Sequence, residues 1–387
     1  MIKIGVISDI HSHEKDNKQQ QGGYYFPSMP DDPIEKNPFS ALKKLIRENS
    51  LELDYLLSPG DYAHQIDDKG LKSAWDQLKL IHHEVKSKLL IGTIGNHDVA
   101  SRDAEKDSFD YIKKFDTCFP LYPSNPNDDS SRNQLLENSF FVYEDSDLDI
   151  FFIVLNSCFD HWNEIDASRG KIKTDKINEI QKAINDSNNE KKILLIHHNP
   201  IIHQAWGNDN DFLEDSEKLL QNIRGIDLII YGHKHNFRFE QREIYPKNLS
   251  LLASGSFSCF KTSLARNDQN TFHIVEFDCK KMEFCENQGF VKTYEYNPSD
   301  GWNYSNKLLE GFGCTLDSQS LESKIINFLK EQDEHYMNWS DIVTDLPFLQ
   351  YVSKKNRNLV FENLQKKGDV IKVLYTDRGE LESLILK

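Results

Sequence analysis

The chain has 387 residues, and 62 Asp plus Glu against 46 Lys plus Arg give it a formal net charge of −16 at pH 7. With 38% hydrophobic and 28% charged residues, neither global disorder nor a small disulfide-stapled scaffold fits; this much chain holds two domains, or one large α/β domain with an appendage. Such acidity excludes coating a nucleic-acid backbone with the whole surface, leaves room for a local basic groove, and favours attraction of metal cations.

Met1 to Asp9 turns polar too soon for a secretory signal, and no apolar run reaches the roughly 18 residues of a membrane span, so a soluble, cytoplasmic protein is expected. Cys118, Cys158, Cys259, Cys279, Cys285 and Cys314 are scattered without a C-x-x-C pair and read as buried or incidental thiols.

A strand is expected over residues 2–7, running into Ser8-Asp9-Ile10-His11. The same grammar recurs at 53–58 before Pro59-Gly60-Asp61, and at 89–94 before Gly95-Asn96-His97-Asp98. It appears again at 193–196 before His197-His198-Asn199-Pro200, and at 226–231 before Gly232-His233-Lys234-His235. Polar residues at the carboxyl ends of buried strands are where open α/β sheets gather ligands, because the loops there stand on a rigid support. Helices are expected between the strands at 39–49, 72–86, 107–115 and 174–186, from apolar spacings of three and four. A strand pair over 140–158, turning at Asp145-Ser146-Asp147, and further strands within 249–260 and 271–284 complete a two-sheet α/β sandwich.

Residues 13–38 are too long and polar for a simple connector and read as a lid or a disordered segment. Residues 125–133 read as a surface loop. Beyond a main domain of residues 1–290 and a linker of 291–317, residues 318–387 change pattern. Helices at 321–331, 339–346 and 354–367 precede two strands around Thr376-Asp377-Arg378-Gly379, the order of a winged helix-turn-helix. Its third helix carries Lys354, Lys355, Arg357, Lys366 and Lys367, yet the module has 10 basic and 11 acidic residues. Docking of a protein, or dimerisation, is therefore as reasonable an expectation as reading DNA.

The strand-end donors Asp9, His11, Asp61, Asn96, His97, His197, His233 and His235 offer only oxygen and nitrogen, which suits Mn, Fe, Ni or Zn in five- or six-coordinate sites rather than a closed thiolate zinc. Two divalent cations are expected, with Mn²⁺ the leading candidate. Asp9, His11 and His235 hold the first, Asn96, His197 and His233 the second, and Asp61 bridges them. A water between the ions then loses its proton and attacks phosphorus in line. His97, steadied by Asp98, is the expected general acid for the leaving oxygen. Of the adjacent pair, His197 is taken as the ligand and His198 as a wall of the substrate pocket; His64, His82, His83, His161 and His335 read as ordinary loop or half-buried histidines.

These motifs, D-x-H at Asp9 to His11, G-D at Gly60-Asp61, G-N-H-D at Gly95 to Asp98, the strand-end His197 and G-H-x-H at Gly232 to His235, resemble the calcineurin-like metallophosphoesterase superfamily. The resemblance runs from about residue 1 to 260, and it implies a four-layer αββα fold, a dinuclear metal centre and phosphoester hydrolysis. It does not cover the C-terminal module. Selection of substrate falls to the mouth, where Tyr24, Tyr25 and Phe26 either stack on a base or close the core, and Arg102 either grips a phosphate or stays on the surface. Lys234 faces solvent or the phosphate. The leading expectation is a phosphodiesterase acting on a nucleotide or nucleic acid, its sharper form a DNA nuclease of the repair-exonuclease type. A phosphomonoesterase or protein Ser/Thr phosphatase is the alternative, and a non-enzymatic scaffold the remote one. Beyond the phosphoester substrate, partners are expected through the C-terminal module, nucleic acid or protein, and no membrane.

Overall fold

The computed structural model describes residues 1–14, 22–27, 29, 36–101, 107–116, 118–125, 129–161, 167–201, 212–244, 247–260, 264, 268–332, 336–368, 370–376 and 381–386. The eight-stranded sheet is built from β1 (Ile2–Val6), β2 (Tyr55–Ser58), β3 (Leu89–Gly92), β4 (Leu121–Tyr122), β11 (Asn270–Phe277), β12 (Cys285–Asn297), β13 (Gly301–Tyr304) and β14 (Glu310–Cys314). Its order is β13-β12-β11-β1-β2-β3-β4, with β14 also paired to β12. The six-stranded sheet, ordered β5-β6-β7-β8-β10-β9, is built from β5 (Phe140–Asp145), β6 (Ile150–Leu155), β7 (Lys191–Leu195), β8 (Leu228–Tyr231), β9 (Phe237–Ile244) and β10 (Lys247–Ser254).

Period-two alternation along β6 shows how the layers stack. Phe152 and Val154 enter one core with Ile4 and Val6 of the first sheet, whereas Phe151, Ile153 and Leu155 enter a second core with Ile177, Ile180 and Ile184 of the helix Lys176–Asp186. The helices Pro38–Asn49 and Asp68–Glu84 place Phe39, Leu42, Trp75 and Leu78 against the first sheet. The result is the four-layer αββα sandwich. The first of these helices starts sharply because the Asn37 side chain accepts from the Phe39 and Ser40 N–H groups and Pro38 needs no N–H partner. Parallel pairing of β1, β2 and β3, and of β6, β7 and β8, turns all their carboxyl ends to one rim.

Three expectations change. Residues 291–317, expected as a linker, hold the end of β12 and all of β13 and β14; Lys292, Glu295 and Asn303 interrupt Val291, Tyr294, Tyr296 and Trp302, so no continuous apolar run marked the strands. The strand β9 was absent from the expectation because Arg238, Glu240 and Arg242 interrupt its apolar residues. The expected loop of 125–133 ends in a helical turn, Ser130–Asn133.

Residues 318–386 contain helices Ser318–Lys330, Trp339–Asp345 and Lys354–Lys367 and a three-stranded sheet, β15 (Tyr336–Asn338), β17 (Leu381–Leu386) and β16 (Val370–Tyr375), in that order. They share a core of Leu321, Ile325, Ile342, Leu349, Phe361 and Leu384. This unit docks on both sheets: the Tyr351 hydroxyl donates to Asp278 after β11, the Lys354 N–H to Glu310 of β14, and the Ser353 N–H to Gln241 of β9 in the second sheet. The basic third helix is partly consumed by its own protein. Lys354 reaches the Lys307 carbonyl, Arg357 stacks on Trp339 at 4.8 Å, and Lys367 pairs with Glu322. Among the described residues no helix is long and apolar enough to cross a membrane.

Candidate metal centre

Asp9 and His11 follow β1, Asp61 follows β2, Asn96 and His97 follow β3, His197 follows β7, and His233 and His235 follow β8, so both sheets deliver donors to the shared rim. The loops bend abruptly there. Asp9, His11, Asp61, His233 and His235 all take positive φ, between 50° and 76°, a left-handed backbone that turns each side chain inward and that L-residues adopt only under constraint. Gly60, at φ 101°, has no room for a Cβ against the Gly95 backbone, and a Cβ on Gly232 would enter the Asp9 carboxylate.

Asp9, His11, Asp61 and His235 bring ligand atoms within 4.8 Å of one another. His11 Nε2 lies 2.9 Å from His235 Nε2, and His235 Nε2 lies 3.5 Å from Asp9 Oδ1. Two imidazole nitrogens at this separation, beside carboxylates, are spaced as neighbouring ligands of one cation. On the other side, Asn96 Oδ1 lies 2.9 Å from His197 Nε2 and 3.1 Å from His233 Nδ1. His197 Nδ1 is 2.9 Å from the Pro59 carbonyl, to which it donates, so Nε2 is left with the lone pair that a cation could take. Between the two groups stands a single oxygen: Asp61 Oδ2 is 3.5 Å from His11 Nε2 and 3.4 Å from His197 Nε2. The other Asp61 oxygen accepts from the His97 N–H at 2.8 Å, which fixes the carboxylate's rotation.

The electrostatics suit cations. Burial would raise the Asp61 carboxyl, but the neighbouring His197 and His97 charges hold it well below the usual range. Burial would likewise lower His197, yet Asp61 and Asp9 push it up to about 9. The buried carboxylates thus favour positive charge between them, and the donor set fits two divalent ions.

His97 is half-buried at the mouth, its ring centroid 4.7 Å from that of His11. The Gln65 N–H donates to its Nδ1 at 3.1 Å, so the ring proton sits on Nε2. That corrects the role expected of Asp98, which does not steady His97. Its carboxylate, fully buried, accepts instead from the N–H groups of Asp61 (2.8 Å), Gly95 (2.9 Å) and Ala63 (3.0 Å), clasping the β2 and β3 loops together. Burial and the Asp61 charge push the Asp98 carboxyl up to about 7.

His198 is not a pocket wall open to solvent. It is fully buried, with Nδ1 2.8 Å from the Ser157 hydroxyl, and it clusters both with His197 and His233 and with Cys158 and His161. Tyr24 and Tyr25 are packed aromatics: Tyr24 lies on Phe260 and Tyr296, and Tyr25 lies on Phe39 with its hydroxyl 2.6 Å from Ser73. Arg102, His335 and most of 15–35 lie outside the described residues.

Two residues read in sequence as bystanders stand at the site. His64, taken as an ordinary histidine, stacks on His97 with centroids 5.3 Å apart, and its position three residues after Asp61 was the available signal. Cys259, on the loop after β10, places Sγ 3.5 Å from His235 Nδ1 and 3.9 Å from Nε2. Burial would raise this thiol, but the His11 and His235 charges bring it down to about 6. Nothing local in its sequence marked it.

A family model described as calcineurin-like phosphoesterase matches residues 2–237. No curated protein matches the chain. Among solved structures, a dimetal phosphatase from Danio rerio aligns with TM-score 0.49 and 11% identity, covering 78% of this chain and 98% of that one. A purple acid phosphatase from yellow lupin aligns with TM-score 0.46 and 15% identity, over 83% of this chain and 55% of that one. The Haemophilus influenzae NAD nucleotidase aligns with TM-score 0.39 and 12% identity, over 96% and 68%.

Proposed function

Because the chain belongs to the calcineurin-like phosphoesterase family, and is a hydrolase of phosphoester bonds, we propose that it cleaves phosphodiesters, of a nucleotide or nucleic acid, at two divalent cations. The observation that carries the reading is the shared Asp61 Oδ2, set 3.5 Å from a donor of one cation position and 3.4 Å from a donor of the other. Asp9, His11 and His235 would hold the first ion, Asn96, His197 and His233 the second. When bound, such a pair supplies Lewis-acid charge and a nucleophile at neutral pH.

The chain's own residues supply the rest. Asp98 holds the Asp61 and Asn96 loops in register through three backbone hydrogen bonds. The Pro59 carbonyl orients the His197 ring, and the His97 N–H fixes the bridging carboxylate. His97, its Nε2–H at the mouth, donates a hydrogen bond to the departing oxygen and steadies the charge that develops there, which a diester needs because its leaving group is a poor alkoxide. The overall charge of −16 also favours a diester, which carries one negative charge, over a dianionic monoester. Residues 318–386 are proposed as a winged-helix-like module that carries a partner-binding surface; their helix, helix, helix, hairpin order supports this.

Hydrolysis of bis-p-nitrophenyl phosphate and of p-nitrophenyl phosphate, by metal-stripped and Mn²⁺-loaded protein, tests the proposal. Metal-dependent diester cleavage that collapses in His97→Ala is expected. A monoester preference would overturn the diester reading, and no turnover with two ions bound would overturn the assignment of the site.

A further inference from the structure

We propose that Cys285 and Cys314 are a redox pair that closes to a disulfide under peroxide, pinning the entry to the C-terminal module against the first sheet. The pair lies at the end of the strands away from the metal rim, where the neighbouring Asn287 amide donates to the Glu190 carbonyl and to Asp227, just before β7 and β8 begin. The inference is therefore independent of the metal centre.

Four observations converge. First, the two cysteines are direct cross-strand partners on β12 and β14, and both thiols are free. Second, the Thr315 N–H donates to the Phe284 carbonyl at 2.9 Å, one residue outside the pair, so Cys285 and Cys314 occupy a non-hydrogen-bonded position of the ladder. Side chains approach closest at such positions, where Cα atoms stand about 4.5 Å apart, inside the span of about 4.4–6.8 Å that a disulfide bridges. Third, the thiols already meet: Cys285 donates a hydrogen bond to Cys314, which lowers the Cys314 thiol and pushes the Cys285 thiol up. Fourth, both residues border space that a small oxidant can enter. Half-buried Cys285 lines an open cleft of about 520 Å³ with Cys279 and Lys280, and Cys314 lines a small crevice with Asp227 and Asn248.

The pair gives up its first proton at Cys314, whose thiolate attacks hydrogen peroxide: an S–O bond forms, the O–O bond breaks, and the departing hydroxide takes up that proton as water. The Cys285 sulfur then attacks the sulfenic sulfur of Cys314; the S–S bond forms, the S–O bond breaks, and hydroxide leaves with the Cys285 proton as a second water. The two sulfurs lose two electrons and the peroxide gains them. Position gives the bond its effect. Cys314 belongs to the core of the module and Cys285 packs against it, and from Cys314 the chain runs directly to Asp317, which caps the helix Ser318–Lys330. Closure adds a covalent tie to the hydrogen bonds of Tyr351, Ser353 and Lys354 that dock the module.

The test treats the reduced full-length chain with hydrogen peroxide, blocks the remaining thiols and maps peptides by mass spectrometry without reduction. A peptide pair joined at Cys285 and Cys314, released by dithiothreitol, is expected in wild type and equally in Cys279→Ser. Unfolding the chain in urea should slow formation of that link about tenfold or more, because the strands no longer hold the sulfurs together. Hydrogen exchange over the helix Ser318–Lys330 should be slower in oxidised than in reduced wild type, with no such difference in Cys285→Ser or Cys314→Ser. A link from Cys279 instead, sulfinic acids without a link, or an equal rate in urea would overturn the pairing. A Cys285–Cys314 link that leaves exchange unchanged would overturn the pinning of the module.

Discussion

Asp98 offers a test of what holds the site together, separate from what performs the chemistry. Its carboxylate is fully buried, with one oxygen accepting from the Asp61 and Gly95 N–H groups and the other from Ala63. Replacing it by Ala strands three buried donors, and replacing it by Asn keeps one oxygen that can still serve the first two. Both changes remove the same negative charge, so the repulsion from Asp61 cancels when the variants are compared with each other. What remains is two hydrogen bonds, at about 1–3 kcal/mol for each buried group left unsatisfied. Asp98→Ala should therefore unfold more easily than Asp98→Asn by about 2–6 kcal/mol, read from urea denaturation of the stripped proteins at pH 7. Manganese affinity, measured by calorimetry, should fall in the same order, because the loops carrying Asp61 and Asn96 lose their common clasp. Equal unfolding midpoints and equal metal affinities in the two variants would refute the clasp.

The remaining predictions separate chemistry from architecture. His97→Ala should lose about 10²- to 10⁴-fold in diester turnover while keeping two ions and the wild-type melting temperature; a loss of metal would make His97 a ligand instead. Asp61→Asn removes the charge shared by both positions, so metal analysis should show fewer than two tightly held ions, and two ions at wild-type affinity would contradict the bridge. His273, fully buried, has its Nε2 2.6 Å from the Ser254 carbonyl and its Nδ1 3.0 Å from the Thr293 hydroxyl, and burial pushes its pKa from 6.5 down to about 4. Because the folded value lies below the unfolded one, the stability it contributes is complete above about pH 6.5 and is lost as pH falls through about 4, on the order of 3 kcal/mol in all. His273→Gln should flatten the stability profile by that amount between those pH values; identical slopes for the two proteins would exclude it.

The rim of donors is legible in sequence because strands such as Leu89–Gly92 and Leu228–Tyr231 are buried on both faces and read as short continuous apolar runs, each stopped by a polar motif. The strand Cys285–Asn297 is not, since Lys292 and Glu295 interrupt its apolar residues and leave no continuous run, even though its partners Asn270–Phe277 and Gly301–Tyr304 flank it in the chain. Asp98 shows a different limit. Its identity is visible beside His97, but only the folded loops reveal that its hydrogen bonds point to Asp61, Ala63 and Gly95. Cys259 is farther out of reach: a serine hydroxyl, an asparagine amide and a bridge to Gly23 bring its sulfur to His235, and none of these is written next to it.

The left-handed backbone at Asp9, His11, Asp61, His233 and His235 has a consequence for anyone wishing to transplant this centre. A peptide containing D-x-H or G-H-x-H would relax into ordinary conformations, since a left-handed residue of this kind costs about 1–3 kcal/mol unless its surroundings impose it. The two sheets are therefore part of the chelator. A scaffold offered the same side chains on comfortable loops would hold the right atoms in the wrong directions, and portability of the site is limited by the frame that keeps its loops bent.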